Sequence, residues 1–148
     1  DSPNRAIISS VVPSLNKSII KILKINKINE LFLKSKNILS FLKIDYNLNE
    51  IGADRIANSI AIINNNINNS IVIDFGTATT FEVIKESIFS GGLIFPGINL
   101  SKNALINKTS LLRNTDVVKT NNIVAKNTKD AIRSGFYWGY VFAINGII

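Results

Sequence analysis

Asp74-Phe75-Gly76-Thr77-Ala78-Thr79-Thr80 places a carboxylate at the end of an apolar strand and follows it at once with a glycine and hydroxyls. Ile71-Val72-Ile73 is a short β-branched run of the kind that forms a buried strand, and it carries Asp74 to the strand's C-terminal end. Gly76 lacks the Cβ that would hold a phosphoryl oxygen away from the backbone. Thr77, Thr79 and Thr80 add hydroxyl and amide donors around the turn. Such a turn suits phosphate and a cation, and it equally suits a hairpin capped by Asp74 and the threonine hydroxyls.

Outward from this stretch, Thr79 to Lys85 and Ser87 to Phe95 are predicted as two further strands, with Lys85-Glu86-Ser87 as their turn. Upstream, a strand over Ala6 to Val12 and an amphipathic helix from Pro13 to about Ile25 are expected, with Leu15, Ile19, Ile22 and Leu23 on one face. Leu31 to Leu33 can form a short strand, and residues 34 to 51 fit either a short helix or a strand with loops. A helix is predicted from Asp54 to about Asn66, with Asp54 in its first turn or at its cap. The polar run 64 to 69 links it to the central strands and marks a lobe boundary, giving lobes 1–69 and 70–148. Gly91-Gly92 and Pro96-Gly97 mark bends. Helices are expected from about Leu100 to Asn107 and from Thr128 to Ile148, Thr128 being the expected N-cap. The order of elements argues for an α/β protein with mixed sheets and helices on their faces.

Composition narrows the chemistry. The chain has 148 residues, 46% of them hydrophobic and 18% charged, which fits a folded domain. No apolar run reaches the length of about 18 residues needed to span a membrane, so no membrane segment is expected. The chain has no cysteine, which fits the cytoplasm, and no histidine, so any acid or base must be Asp, Glu, Lys or Tyr. Histidine-ligated transition metals are thereby excluded, whereas a hard cation on oxygen ligands is not. The net charge of +7 comes from lysines that alternate with Ile, Leu and Phe in the first third of the chain, as on a solvated helix face. With no arginine-rich run or zinc spacing, nucleic-acid binding is not expected.

Four separated segments then fall into order: Ile8 to Pro13, Gly52-Ala53-Asp54-Arg55, Asp74 to Thr80, and Gly91 to Gly97 with Leu100-Ser101 and Ala104-Leu105. Asn127-Thr128 with Ala131, Ser134-Gly135 and Gly139-Tyr140 makes a fifth. Together they resemble type III pantothenate kinase, of the actin, sugar kinase and Hsp70 superfamily. The resemblance implies a ribonuclease-H-like, actin-like two-lobe fold and transfer of the ATP γ-phosphoryl group to pantothenate, the first step towards coenzyme A. It also implies a cytoplasmic homodimer, Mg2+ with ATP, and a monovalent cation, K+ or NH4+. The alternative is a non-catalytic relative acting as a regulator or binding protein.

By the same resemblance, Asp54 is the catalytic base, and Tyr46, Gly52, Ala53, Asp54 and Arg55 bind pantothenate. Asp74 is the ligand of the monovalent cation, Gly76 and Thr77 contact ATP, and Thr128 reaches pantothenate across the dimer interface. Plainer roles stand beside these: Asp54 as a helix cap paired to Arg55, Tyr46 as an ordinary aromatic, Thr128 as an N-cap, and the glycines as bends. Tyr137, Trp138 and Tyr140 are expected in the core or the dimer interface. Two departures stand out. No Asp-x-Gly-Asn-Thr turn precedes Ala6, and Arg113 stands near a position where the family tends to have proline. On this resemblance the chain is the middle of the enzyme, lacking the start of the first lobe and the end of the second, and is expected to be a poor catalyst by itself.

Overall fold

The computed structural model describes residues 3–34, 38–109 and 115–148; Arg113 lies outside them. Proline can occupy the first turn of a helix, where its missing N–H has no partner to lose, and Pro13 begins α1 (Pro13–Ile25). α1 joins β1 (Arg5–Ile8) to β2 (Asn29–Phe32), which pair in parallel with Arg5 opposite Asn29 and Ile8 opposite Phe32. β1 is shorter than the predicted Ala6 to Val12. Past Ile8 the chain turns instead, and the Ser10 hydroxyl accepts from the Val12 amide and bonds Asn16 Oδ1 at 2.6 Å. The predicted apolar face of α1 is buried only in part: Ile19 and Leu23 are half-buried, whereas Leu15 and Ile22 are 54% and 59% exposed.

The ambiguous stretch 34 to 51 contains the two-residue strand β3 (Lys43–Ile44), with turns around it. Next come α2 (Ala53–Asn64), β4 (Ser70–Phe75), β5 (Ala78–Lys85), β6 (Ile88–Pro96), α3 (Ile98–Asn107) and α4 (Thr128–Ile147). β3 to β6 form a four-stranded sheet in the order β3-β6-β5-β4, with β3 and β6 parallel. The two-residue connections 76–77 and 86–87 admit only antiparallel pairing of the strands they join. Glu86 and Ser87 have φ of 52° and 61°, the left-handed pair that a tight hairpin turn demands. The side chain of Asn69 accepts from the Glu86 amide at 2.9 Å and steadies that turn. The fold is therefore mixed α/β, with sheets flanked by helices, as the order of elements predicts.

The chain packs as two compact units: Asp1–Val72 with Glu82–Gly92, and Ile73–Phe81 with Leu93–Ile148. In the first, Ile38, Leu42, Ile51, Ile56, Ile84 and Phe89 form the buried core. In the second, α4 packs against α3, and Tyr140 holds them near the end of β6. Its hydroxyl donates to the Pro96 carbonyl at 2.7 Å and lies 2.8 Å from Ser101 Oγ, while its ring meets Phe95 edge-on at 5.3 Å. Tyr140 is thus a core residue, whereas Tyr137 and Trp138 are half-buried.

One predicted cap is corrected. The N-cap of α4 is Asn127, not Thr128, because the amide side chain of Asn127 reaches both ways. Its Oδ1 accepts from the Asp130 amide at 2.9 Å and its Nδ2 donates to Asp130 Oδ2 at 2.8 Å, a reciprocal arrangement of the capping-box kind. That side-chain hydrogen bond, more than the neighbouring Arg133, holds the Asp130 carboxyl below its ordinary range.

Candidate active site

The sequence-predicted residues divide between the two units. Tyr46, Gly52, Ala53, Asp54 and Arg55 belong to the first, and Asp74, Gly76, Thr77 and Thr128 to the second.

In the first unit, Gly52 caps α2 with extended backbone, and Asp54 stands in the helix's first turn. Asp54 is half-buried, and its Oδ1 accepts from the Arg55 amide at 2.8 Å. Among the described residues its second oxygen makes no hydrogen bond, which leaves Oδ2 to accept from a ligand. A Cβ on Gly52 would fall onto Asp54 Oδ1, so a larger residue there would push the carboxylate aside. Beside this turn lies a cavity of about 660 Å3, lined in part by Ser10, Lys34, Glu50, Ile51, Gly52 and Ala53. That volume is within the range of small-molecule sites, and the lining combines apolar walls with a few polar groups.

The expected pairing of Asp54 with Arg55 does not form through their side chains. Arg55 turns inward and meets Glu82 of β5, with Nε 3.0 Å from Oε1; the two side chains are 6% and 0% exposed. Tyr46 and Phe89 lie together against the guanidinium, their ring centroids 5.6 and 5.3 Å from its carbon. The rings also meet each other edge-on at 5.7 Å. Tyr46, 38% exposed, therefore joins the core to the surface beside Arg55. Glu82 and Phe89 were not among the sequence-predicted site residues. Glu82 did leave a signal, as a charged residue inside an apolar strand, where burial demands a partner.

In the second unit, β4 ends in Asp74 and Phe75, and Gly76-Thr77 turns the chain into β5; these four residues are exposed. Gly97 holds the turn from outside. Its amide donates to the Thr77 carbonyl at 2.9 Å, and a Cβ on Gly97 would collide with the carbonyl oxygens of Gly76 and Thr77. Gly97→Ala should therefore push the turn outward and destabilise the protein by about 1–3 kcal/mol, read as a lower urea midpoint. An unchanged midpoint would contradict this account of the turn.

The Asp74 carboxylate and the Thr77 hydroxyl are oxygen donors of the type a hard cation takes. The described residues contain no cluster of three His, Cys, Asp or Glu, the donor set that a protein-caged transition metal would use. Thr128 is exposed at the start of α4. It lies at the rim of an apolar groove of about 580 Å3 along Ala131, Gly135 and Gly139, with Phe95 and Leu105 opposite.

The family model for type III pantothenate kinase matches residues 1–148. The chain belongs to that family. A type III pantothenate kinase of Pelagibacter ubique is 43% identical over 148 residues, covering 99% of this chain and 59% of the relative. One of Sulfurihydrogenibium sp. is 46% identical over 148 residues, covering 98% and 58%. The chain thus spans rather more than half the length of these type III pantothenate kinases. A Campylobacter jejuni crystal structure, described as a candidate Baf family transcriptional activator, aligns over all of this chain and 66% of its own. The TM-score is 0.67 and the identity 25%.

Proposed function

We propose that the intact protein transfers the γ-phosphoryl group of ATP to the primary hydroxyl of pantothenate, the first step of coenzyme A synthesis. The observation that carries this reading is the match of all 148 residues to the type III pantothenate kinase family. Asp54 accepts the proton of the pantothenate hydroxyl at Oδ2, while its Oδ1 stays tied to the Arg55 amide. Gly52 and Ala53 line the adjoining cavity, where pantothenate binds, and Arg55 and Tyr46 complete the binding loop beside it.

Gly76 and Thr77 face ATP, and Asp74 is the residue that would hold K+ or NH4+. Phosphoryl transfer depends chiefly on positioning and charge neutralisation, and that is what the monovalent cation, and Mg2+ on the nucleotide, supply when bound. The fold behind this chemistry is the two-lobe, ribonuclease-H-like one of the actin superfamily, with lobes at 1–69 and 70–148. The protein works as a cytoplasmic homodimer. The apolar groove of α4 supports that assembly, and Thr128 at its rim contacts pantothenate from the partner subunit. No helix among the described residues is long and apolar enough to cross a membrane.

The reading is tested by following ADP release by the intact protein. Release should require pantothenate and should fall sharply when Na+ replaces K+. ADP formed at the same rate without pantothenate would overturn the assignment of the acceptor. Indifference to the cation would overturn the role given to Asp74.

A further inference from the structure

The Arg55–Glu82 pair is poorly built for stability alone. Both side chains are almost wholly withdrawn from water, yet they share one contact, Nε to Oε1 at 3.0 Å. Arg55 Nη2 and Glu82 Oε2 are buried without a hydrogen-bond partner. A buried ion pair recovers its desolvation penalty only when the remaining donors and acceptors are also satisfied, and well-packed apolar side chains usually stabilise such a site as well or better. The rings of Tyr46 and Phe89 lie together against the guanidinium, 5.6 and 5.3 Å from its carbon, and confine it beside the turn. The backbone amide of Arg55 is at the same time the donor that holds Asp54 Oδ1. One residue therefore links the buried carboxylate of β5 to the turn beside the cavity.

We propose that Glu82 is a positioning residue for the pantothenate site: it holds the Arg55 guanidinium against Tyr46 and Phe89 and thereby fixes the Gly52–Arg55 turn. The proposal rests on the reading of that turn as the pantothenate-binding loop. Glu82 does not touch the substrate in this account; it acts through Arg55. Misplacing a binding group by about 1 Å can cost on the order of 100-fold, so a small shift of the turn is enough to matter.

The test compares Glu82→Gln with wild type in the intact protein, at a temperature where circular dichroism shows both folded. Glutamine keeps an acceptor for Nε and removes the charge. The KM for pantothenate should rise about 10- to 100-fold while the KM for ATP stays within about twofold. An unchanged pantothenate KM, or the two constants rising together as general loosening would produce, overturns the proposal. If Glu82→Gln fails to fold, Glu82→Asp carries the test: it keeps the charge but withdraws it by one methylene, and should raise the pantothenate KM alone by a smaller factor. An unchanged KM there is equally fatal.

Amide hydrogen exchange separates this proposal from the activity it rests on. Faster exchange at Arg55 and Ile56 in the variant than in wild type, with the rest of α2 unchanged, supports positioning. Equal exchange overturns it, even if the wild type proves not to act on pantothenate.

Discussion

Asp54→Asn in the intact protein is expected to lower kcat for pantothenate phosphorylation by about 10²- to 10⁴-fold, the usual worth of a positioned general base. The substitution is nearly isosteric. Asparagine can still accept from the Arg55 amide through Oδ1, the contact Asp54 makes at 2.8 Å, so the first turn of α2 keeps its geometry. What disappears is the ability of the second oxygen to take a proton. If Asp54 acts only in the transition state, kcat and kcat/KM should fall together and the KM for pantothenate should change little. Steady-state kinetics with a folded variant decides this, and undiminished turnover would return Asp54 to the plainer role of a residue in a helix's first turn.

The second large effect concerns the buried pair. Arg55→Ala would leave Glu82, 0% exposed, without its counter-charge, at a cost of about 3–5 kcal/mol to stability. The double replacement Arg55→Met with Glu82→Leu should recover most of that loss, because it removes both charges and fills the space beside Tyr46 and Phe89 with apolar atoms. Urea midpoints of the wild type, Arg55→Met, Glu82→Leu and the double variant give the coupling directly. Additive losses would mean that the two side chains do not depend on each other. A double variant that regains stability but loses pantothenate binding would show that the pair serves the site rather than the fold.

The central strands were legible because two signals coincide there. Ile71 to Ile73 are β-branched, and Lys85-Glu86-Ser87 is a polar turn whose residues do adopt the left-handed pair. The start of α1 was legible from Pro13 for an equally local reason. The cap of α4 was misread because Asn127 and Thr128 are both good caps by type. The choice between them depends on Asp130 being placed to bond Asn127 from both sides, and spacing alone does not display that.

The same holds in the candidate site. The Gly52 to Arg55 segment could be picked out by its resemblance to a family, but the direction of the Arg55 side chain could not. Its partner lies 27 residues further along the chain, on β5, and only the tertiary fold brings that strand beside the first turn of α2. Residue type suggested that Arg55 would pair with the adjacent aspartate. The fold turned it instead towards the buried carboxylate of Glu82.

The activity proposed for the intact protein, phosphorylation of pantothenate, has a direct chemical signature. The most direct measurement is mass-spectrometric identification of the product after incubating the intact protein with pantothenate, Mg2+-ATP and K+. The account predicts 4'-phosphopantothenate formed in step with ADP. Folded, ATP-binding protein that leaves pantothenate unmodified under these conditions would contradict it.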